Sequence, residues 1–261
     1  MPLLEVRDVS VRFGGIVALD SVSFDVPEGA IVGLIGPNGA GKTTLFNIVS
    51  GLYRMDSGDL VFRGQSIAGQ APHSVVGRGI ARTFQNVELW PRMTVLENVL
   101  TGYHSRFKTD YLHFLRAGLQ LPGTRRIERD AKEKALEVLR YLDLEKLANH
   151  PAHGHPFGVL KKIELARALV SAPSLLLLDE PAGGLTHEEV ERLAQQLRRL
   201  HSDFNVTLLV VEHHMNLVMK VSDRVAVLNF GRLIAEGTPR EVQTNPRVIE
   251  AYLGTQQNGA A

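Results

Sequence analysis

An α/β fold is what three stretches of this sequence predict, each a buried run that ends on polar chemistry. In residues 31–49 the apolar run Ile31 to Ile35 reads as a buried strand. Gly36-Pro37-Asn38-Gly39-Ala40-Gly41-Lys42-Thr43 then fits the pattern G-x-x-x-x-G-K-[ST], and Leu45, Ile48 and Val49 continue at helical spacing. Leu175 to Leu178 is a four-leucine strand ending on Asp179 and Glu180. Val206 to Val211 is another buried strand, ending Glu212-His213-His214. Polar residues at a strand's carboxyl edge point at the ligand crevice of an α/β sheet.

The glycine-rich stretch has a physical job at each position. Its glycines let the backbone curl so that successive N–H groups point inward, a nest for phosphate oxygens. The helix start adds unpaired N–H groups and a partial positive charge. Lys42 is placed to reach β- and γ-phosphates, and the Thr43 hydroxyl to ligate Mg²⁺. The alternative, a strand-to-helix turn that binds nothing, is weighed down by the strand before the loop and the helix after it.

Composition narrows the class. The 261 residues suffice for one large domain or two small ones with a real core, and 44% hydrophobic with 22% charged residues describes an ordinary globular protein. A net charge of +1 gives no support to an electrostatic nucleic-acid binder. With no cysteine there is no disulfide framework, thiolate metal site or cysteine nucleophile, which suits a reducing compartment. Glu5, Arg7 and Asp8 stand where a signal peptide needs an apolar stretch, so export is not expected. The apolar runs fall far short of the ~20 residues that span a bilayer, so any membrane connection is expected to go through a partner.

In chain order, Leu3 to Phe13 reads as a strand, Gly14-Gly15 as a turn, and Val17 to Val26 as a second strand with Ser21, Ser23 and Asp25 on its polar side. Phe13, just before the turn, is either a core aromatic or a ring that stacks on adenine. Pro27-Glu28-Gly29 turns into the phosphate-loop strand. Beyond the loop's helix, Leu60 to Phe62 and Ile67 are short strand material, and Gly79 to Phe84 reads as a strand ending on Gln85. Thr94 with Glu97 makes a capping box opening the helix of Val95 to Val99. Residues 103–150 change in texture: Tyr103 to Arg116 is aromatic and basic, and Arg126 to Leu147 is helical with an apolar stripe at Leu136, Leu139 and Leu142. This stretch reads as a helical insert in the α/β core. The histidines of His150-Pro151-Ala152-His153-Gly154-His155 have the spacing of neither a zinc finger nor an H-E-x-x-H helix, so a histidine-rich loop is expected. Phe157-Gly158 opens a helix through Val170, stopped by Pro173, with Ile163, Leu165 and Ala166 inward.

Unpaired buried carboxylates are costly, so Asp179 and Glu180 at a strand end call for a role. Beside a phosphate loop, Asp179 can hold Mg²⁺ through water and Glu180 can orient or deprotonate the attacking water. A capped strand followed by a helix acid is the alternative. Glu188 to Leu200 is amphipathic. After Val211, His213 and His214 are candidates to face the ligand crevice, with a structural role the alternative for either, and strand alternation predicts that the two point to opposite faces. Val225 to Leu228 and Arg232 to Ala235 form a hairpin about Phe230-Gly231, and Thr238-Pro239 starts a helix.

Together these pieces resemble the ATP-binding subunit of ABC transporters, from about Leu3 to Gly254. Gly36 to Thr43 are similar to that family's Walker A and Leu175 to Asp179 to its Walker B. Glu180 resembles the catalytic glutamate, Gln85 the Q-loop glutamine, His213 the H-loop histidine and Phe13 the adenine-stacking aromatic. The resemblance implies a P-loop NTPase fold: a RecA-like core with an N-terminal antiparallel β subdomain and a helical insert subdomain. It implies one ABC ATPase domain over residues 3–254, with a core of about 3–90 and 160–254, a helical subdomain of about 91–159, and a disordered tail over 255–261. It implies ATP and Mg²⁺ as cofactors. The phosphates would lie on Gly36, Pro37, Asn38, Gly39, Ala40, Gly41, Lys42, Thr43 and Thr44, with the metal at Thr43, Gln85 and Asp179 and catalysis at Glu180 and His213. A finer resemblance, to branched-chain amino acid importers, rests on Arg82-Thr83-Phe84-Gln85, the helical insert, Glu212-His213 and the ending Val248-Ile249-Glu250-Ala251-Tyr252-Leu253-Gly254.

The sequence departs from the family in two places. The signature Leu-Ser-Gly-Gly-Gln is here His155-Pro156-Phe157-Gly158-Val159, which keeps Gly158 and lacks the serine hydroxyl, leaving Phe157 and Gly158 to open the signature helix. The D-loop, usually ending in aspartate, is Gly183-Gly184-Leu185-Thr186. The partners implied are a second ABC ATPase subunit, integral membrane permease subunits and, indirectly, an extracytoplasmic substrate-binding protein; nucleic acid is not among them. The ATPase would then sit peripherally on the cytoplasmic face of the plasma (inner) membrane. A heterodimer is favoured, because a homodimer would lack the signature serine at both sites. An importer of another small polar solute, such as urea or an amide, stays open, as do a soluble ABC ATPase and an unrelated P-loop kinase.

Overall fold

The computed structural model describes residues 1–84, 87–103 and 122–257, which fall into two compact units, Met1–Gln85 with Ser174–Ala261 and Asn86–Pro173. In the first unit, β1 (Pro2–Phe13) and β2 (Ile16–Pro27) pair antiparallel about Gly14-Gly15. Val22, Phe24 and Val26 of β2 are buried while Ser21, Ser23 and Asp25 are exposed, the period of two that a half-buried strand requires. After β3 (Ile31–Ile35) and α1 (Lys42–Val49), the strands β4 (Ser57–Phe62) and β5 (Gln65–Ser66) complete an antiparallel sheet of order β2-β1-β4-β5.

α2 (Pro72–Gly77) leads to the short strand β6 (Ile80–Arg82), which starts one residue later and stops earlier than the strand expected from Gly79 toward Gln85. The chain returns to this unit at β7 (Leu175–Asp179) and alternates thereafter: α6 (His187–Phe204), β8 (Thr207–Val211), α7 (Met215–Val221), β9 (Arg224–Asn229) and β10 (Arg232–Gly237). The numbers α3 to α5 belong to the other unit. Strands β6 to β10 and β3 form a second sheet of order β10-β9-β3-β8-β7-β6, parallel except for the β9–β10 hairpin. Every residue of β3, β7 and β8 is buried, as parallel strands covered on both faces require. α7 lies so close to β3 that a Cβ on Gly33 would stand 2.5 Å from Val218 Cγ1, which is why a glycine interrupts that strand. Phe230 (φ 45°) and Gly231 (φ 75°) supply the left-handed pair that a tight hairpin turn demands.

Register decides where the chemistry emerges. Leu34 of β3 pairs with Val211 of β8, and Val211 pairs with Asp179 of β7. The residues that follow these three strands therefore leave the sheet at one carboxyl edge. α8 (Pro239–Gln243) and α9 (Pro246–Gln257) close the described chain, and α9 runs as helix into the stretch from Thr255 that was expected to be a disordered tail.

The second unit is helical: α3 (Val95–Tyr103), α4 (Pro122–Tyr141), a 3-10 turn at Glu145–Leu147 and α5 (Phe157–Leu169). The Thr94–Glu97 capping box forms as predicted. Buried Asn98 ties the preceding turn to α3, its amide donating to the carbonyls of Trp90, Met93 and Thr94 and its oxygen accepting the Trp90 N–H. The apolar face of α4 runs through Ala131, Ala135, Val138 and Leu139, and Leu142 just beyond is buried with it; Leu136 is only half-buried. The expected stripe holds at Leu139 and Leu142 and departs only at Leu136, which lies about 100° around the helix from buried Ala135. α5 belongs wholly to this unit, so the later boundary falls after Pro173, where the sequence suggested about 160. A Cβ on Gly102 would meet Arg167 O at 1.9 Å, so α3 and α5 touch backbone to backbone.

Candidate active site

The glycine-rich loop between β3 and α1 has a shape that side chains would prevent. Gly36 (φ 152°) passes so near β9 that a Cβ would lie 2.1 Å from Leu228 O, and at Gly41 (φ 102°) it would lie 2.7 Å from Ala18 O. Gly231 N–H donates to Ala40 O at 3.1 Å, which moors the loop to the β9–β10 turn. Pro37 and Ala40 are buried while Asn38 and Gly39 are exposed at the tip. Leu45 N–H donates to Gly41 O at 2.9 Å, and the N–H groups before it belong to the helix start, where no intrahelical acceptor exists. Thr43 is exposed and Thr44 half-buried on that first turn.

Lys42 is buried inside the curl, its Nζ donating to Gly36 O at 2.6 Å and Pro37 O at 2.9 Å. Burial lowers its pKa, and the carboxylates of Glu180 and Asp179 oppose that shift. The field of both carboxylates thus reaches the lysine, joining the ends of β3 and β7.

Asp179 is 3% exposed and forms an ion pair with Arg82, Nη2 to Oδ2 at 2.6 Å. Arg82, which ends β6, also donates to Asn47 Oδ1 and Ser50 Oγ of α1's side of the sheet. Its planar fork can serve these acceptors at once. Glu180 follows in the left-handed region (φ 46°), uncommon for a residue with a side chain. Its N–H donates to Val211 O at 2.9 Å, and Gly183 N–H donates to its carbonyl at 3.1 Å. His213 Nδ1 lies 3.8 Å from Glu180 Oε1. Glu212 between these elements is fully buried, and its oxygens accept from main-chain N–H groups: Ala182 at 2.6 Å, His213 at 3.1 Å and His214 at 3.2 Å.

Asp179, Glu180 and His213 therefore emerge at one carboxyl edge of the sheet, with Lys42 in the field of the two carboxylates. The two histidines do not diverge: their rings lie 4.4 Å apart, tilted by 37°. β8 ends at Val211 and His214 caps α7, so the alternation of a strand no longer applies to them. Phe13 is half-exposed and meets the edge of Tyr53 at 5.4 Å, so it is not a core aromatic. Gln85 lies outside the described residues. Phe157 and Gly158 open α5 in the helical unit, with the Phe157 ring exposed and Lys161 Nζ 5.3 Å from its centre. Thr186 serves as N-cap of α6 in a capping box with Glu189.

From sequence, Arg82 was a subfamily cue and Glu212 that and a polar strand end facing the crevice, and neither had a task at the site. A signal was present for both: a short strand ending on arginine, and an apolar strand ending on a glutamate that cannot be buried without donors.

A family model described as ABC transporter matches residues 19–183, and one described as branched-chain amino acid ATP-binding cassette transporter matches residues 232–257. The chain is 42% identical to the high-affinity branched-chain amino acid transport ATP-binding protein BraF of Pseudomonas aeruginosa, over 97% of this chain and 98% of that one. It is 41% identical to the corresponding protein LivG of Escherichia coli K12, with the same two coverages. Among solved structures, an ATP-binding cassette of an ABC transporter in its ADP conformation superposes with a TM-score of 0.83 at 32% identity, covering 97% of this chain and 99% of that one. A dimeric cassette bound to ADP and phosphate in a post-hydrolysis state gives a TM-score of 0.74 at 26% identity, covering 91% and 99%.

Proposed function

Because the chain belongs to the ABC transporter ATP-binding family, we propose that it is the ATP-hydrolysing subunit of a branched-chain amino acid importer, with its chemistry at Lys42, Asp179, Glu180 and His213. The observation that supports this placement is the convergence of those four residues at the ends of β3, β7 and β8. The substrate class follows from the likeness to BraF and LivG, which extends over 97% of the chain.

Each residue then has work that its position allows. The loop N–H groups and the start of α1 face the phosphates, and Lys42 neutralises charge on the β- and γ-oxygens once its Nζ exchanges carbonyls for phosphate. Mg²⁺, when bound, would supply charge neutralisation on the phosphate. The donor set suits it: the Thr43 hydroxyl and the Asp179 carboxylate, with Gln85 added from the family resemblance, leave the remaining positions to water and phosphate. Glu180 orients water for in-line attack and accepts its proton, while His213 steadies the γ-phosphate from the adjoining loop. Phe13, half-exposed, offers its ring to adenine.

No helix among the described residues is long and apolar enough to cross a membrane. We place the subunit on the cytoplasmic face of the membrane, peripherally, through permease subunits, with a substrate-binding protein acting outside. It pairs with a second ATPase so that each signature helix, here Phe157-Gly158, closes over the other's nucleotide. The test is Glu180→Gln in the subunit assembled with its permease. An amide cannot take the proton, so ATP binding should persist within a few-fold while turnover falls about 100-fold or more. Wild-type turnover in that variant would refute the assignment.

A further inference from the structure

We propose that Glu212 is a positioning residue whose buried carboxylate sets the separation of Glu180 and His213 by tying together the two loops that carry them. The proposal rests on the reading of Glu180 and His213 as the hydrolytic pair. The Glu212 side chain is wholly buried. On one side its Oε1 accepts the N–H of Ala182, two residues beyond Glu180, at 2.6 Å. On the other its Oε2 accepts the successive N–H groups of His213 and His214 at 3.1 and 3.2 Å.

The Ala182 bond falls within the turn that Gly183 N–H closes onto Glu180 O, the same turn that holds Glu180 in its left-handed conformation. That conformation costs energy for any residue with a Cβ and persists only when its surroundings hold it. The other two bonds orient the main chain of His213 just past the end of β8. Both loops thus hang from one carboxylate, and His213 Nδ1 comes to 3.8 Å from Glu180 Oε1.

Only a carboxylate fits all three donors, because it accepts at both oxygens. An amide of the same length accepts on one side and must turn its N–H groups against main-chain N–H on the other. Glu212→Gln should therefore release one loop while leaving β3, the phosphate loop and α1 in place. Small displacements of positioned groups cost catalysis steeply, so kcat for ATP hydrolysis should fall about 10- to 100-fold. The KM for ATP and the affinity for a fluorescent ATP analogue should stay within about two-fold, since uniform binding is untouched. Glu212→Asp keeps the charge and both acceptors but withdraws them by one methylene, and should show the same split to a smaller degree.

The experiment measures hydrolysis and analogue binding in the subunit assembled with its permease, for both variants, for Glu180→Gln and His213→Ala, and for Glu212→Gln combined with His213→Ala. If Glu212 acts through the pair, the combined variant loses less than the product of the two single losses, since part of what Glu212 does is already gone without His213. A loss in the combined variant equal to the product of the two single losses would overturn the proposal, as would kcat within two-fold of wild type for Glu212→Gln, or for Glu212→Asp where the Gln variant does not fold. A parallel loss of binding and kcat would reduce Glu212 to a structural residue and overturn it equally. Wild-type rates in Glu180→Gln and His213→Ala would instead bring down the underlying site reading, and the positioning role with it.

Discussion

Single side chains at this site answer to two demands, burial and charge. Lys42 spends its ammonium on the carbonyls of Gly36 and Pro37 and lies in the field of two carboxylates. Lys42→Ala removes the cation and the internal tie of the loop together. Each charge-assisted bond to phosphate is worth about 1.5–3 kcal/mol, so nucleotide affinity should drop about 100-fold, measured by titration with a fluorescent ATP analogue. Unchanged affinity in a folded variant would mean the loop does not cradle phosphate. Arg82 answers the other demand. Its pairing with Asp179 is buried on both sides, at 8% and 3% exposure, so Arg82→Met strands a carboxylate without a counter-charge. The expected loss is about 3–5 kcal/mol in urea unfolding, with part recovered when Asp179→Asn is added. Equal stability of Arg82→Met and wild type would show that Asp179 finds another partner.

Elements of this fold begin on the same device. α3, α6 and α8 each open with a threonine and a glutamate three residues on, at Thr94–Glu97, Thr186–Glu189 and Thr238–Glu241. Each glutamate is held below its ordinary value of 4.5, first by the threonine's main-chain N–H and then by its hydroxyl. A lowered folded-state pKa means the unfolded chain binds more protons as pH falls past that value. The stabilisation is therefore full above 4.5 and lost as pH falls through the lowered values. All three sites face water, so the effect per site is small. A variant carrying Glu97→Gln, Glu189→Gln and Glu241→Gln should keep its caps, and its urea midpoint should fall less than wild type's between about pH 5 and pH 3. Identical pH slopes would show that other carboxylates govern acid unfolding. The first of these caps, Thr94–Glu97, was legible as spacing alone, and the expected α4 stripe held at Leu139 and Leu142 but not at Leu136, whose place on the face is taken by Ala135.

At the scale of the whole molecule, the odd signature bears on assembly. His155-Pro156-Phe157-Gly158-Val159 offers the opening of α5 but no hydroxyl. Paired with a sister ATPase of standard signature, this chain's phosphate loop would face a complete helix and the sister's loop a deficient one. The missing bond to the γ-phosphate should cost about 1.5–3 kcal/mol at the deficient site. Lys42→Ala in this chain should then reduce substrate uptake into reconstituted vesicles more than the matching lysine change in the sister. Equal damage, or full uptake by this chain with the permease alone, would overturn the unequal pair.

The phosphate loop, the strand ending on Asp179 and Glu180, and the candidate His213 were determined by sequence alone. They are local patterns, in which an apolar run, a glycine spacing and a polar terminus lie within a dozen residues. Tertiary structure decided what depends on register between distant strands. Leu34 beside Val211 beside Asp179 sets the common edge, and only that alignment brings Arg82 to Asp179 across 97 residues of chain and Glu212 to Ala182 across 30. It also decided that the two histidine rings lie side by side, since a strand's alternation ends where its ladder ends and His214 belongs to a helix cap. Partners so far apart in the chain leave no spacing to read, because what joins them is the pairing of strands and the cost of burying a charge alone.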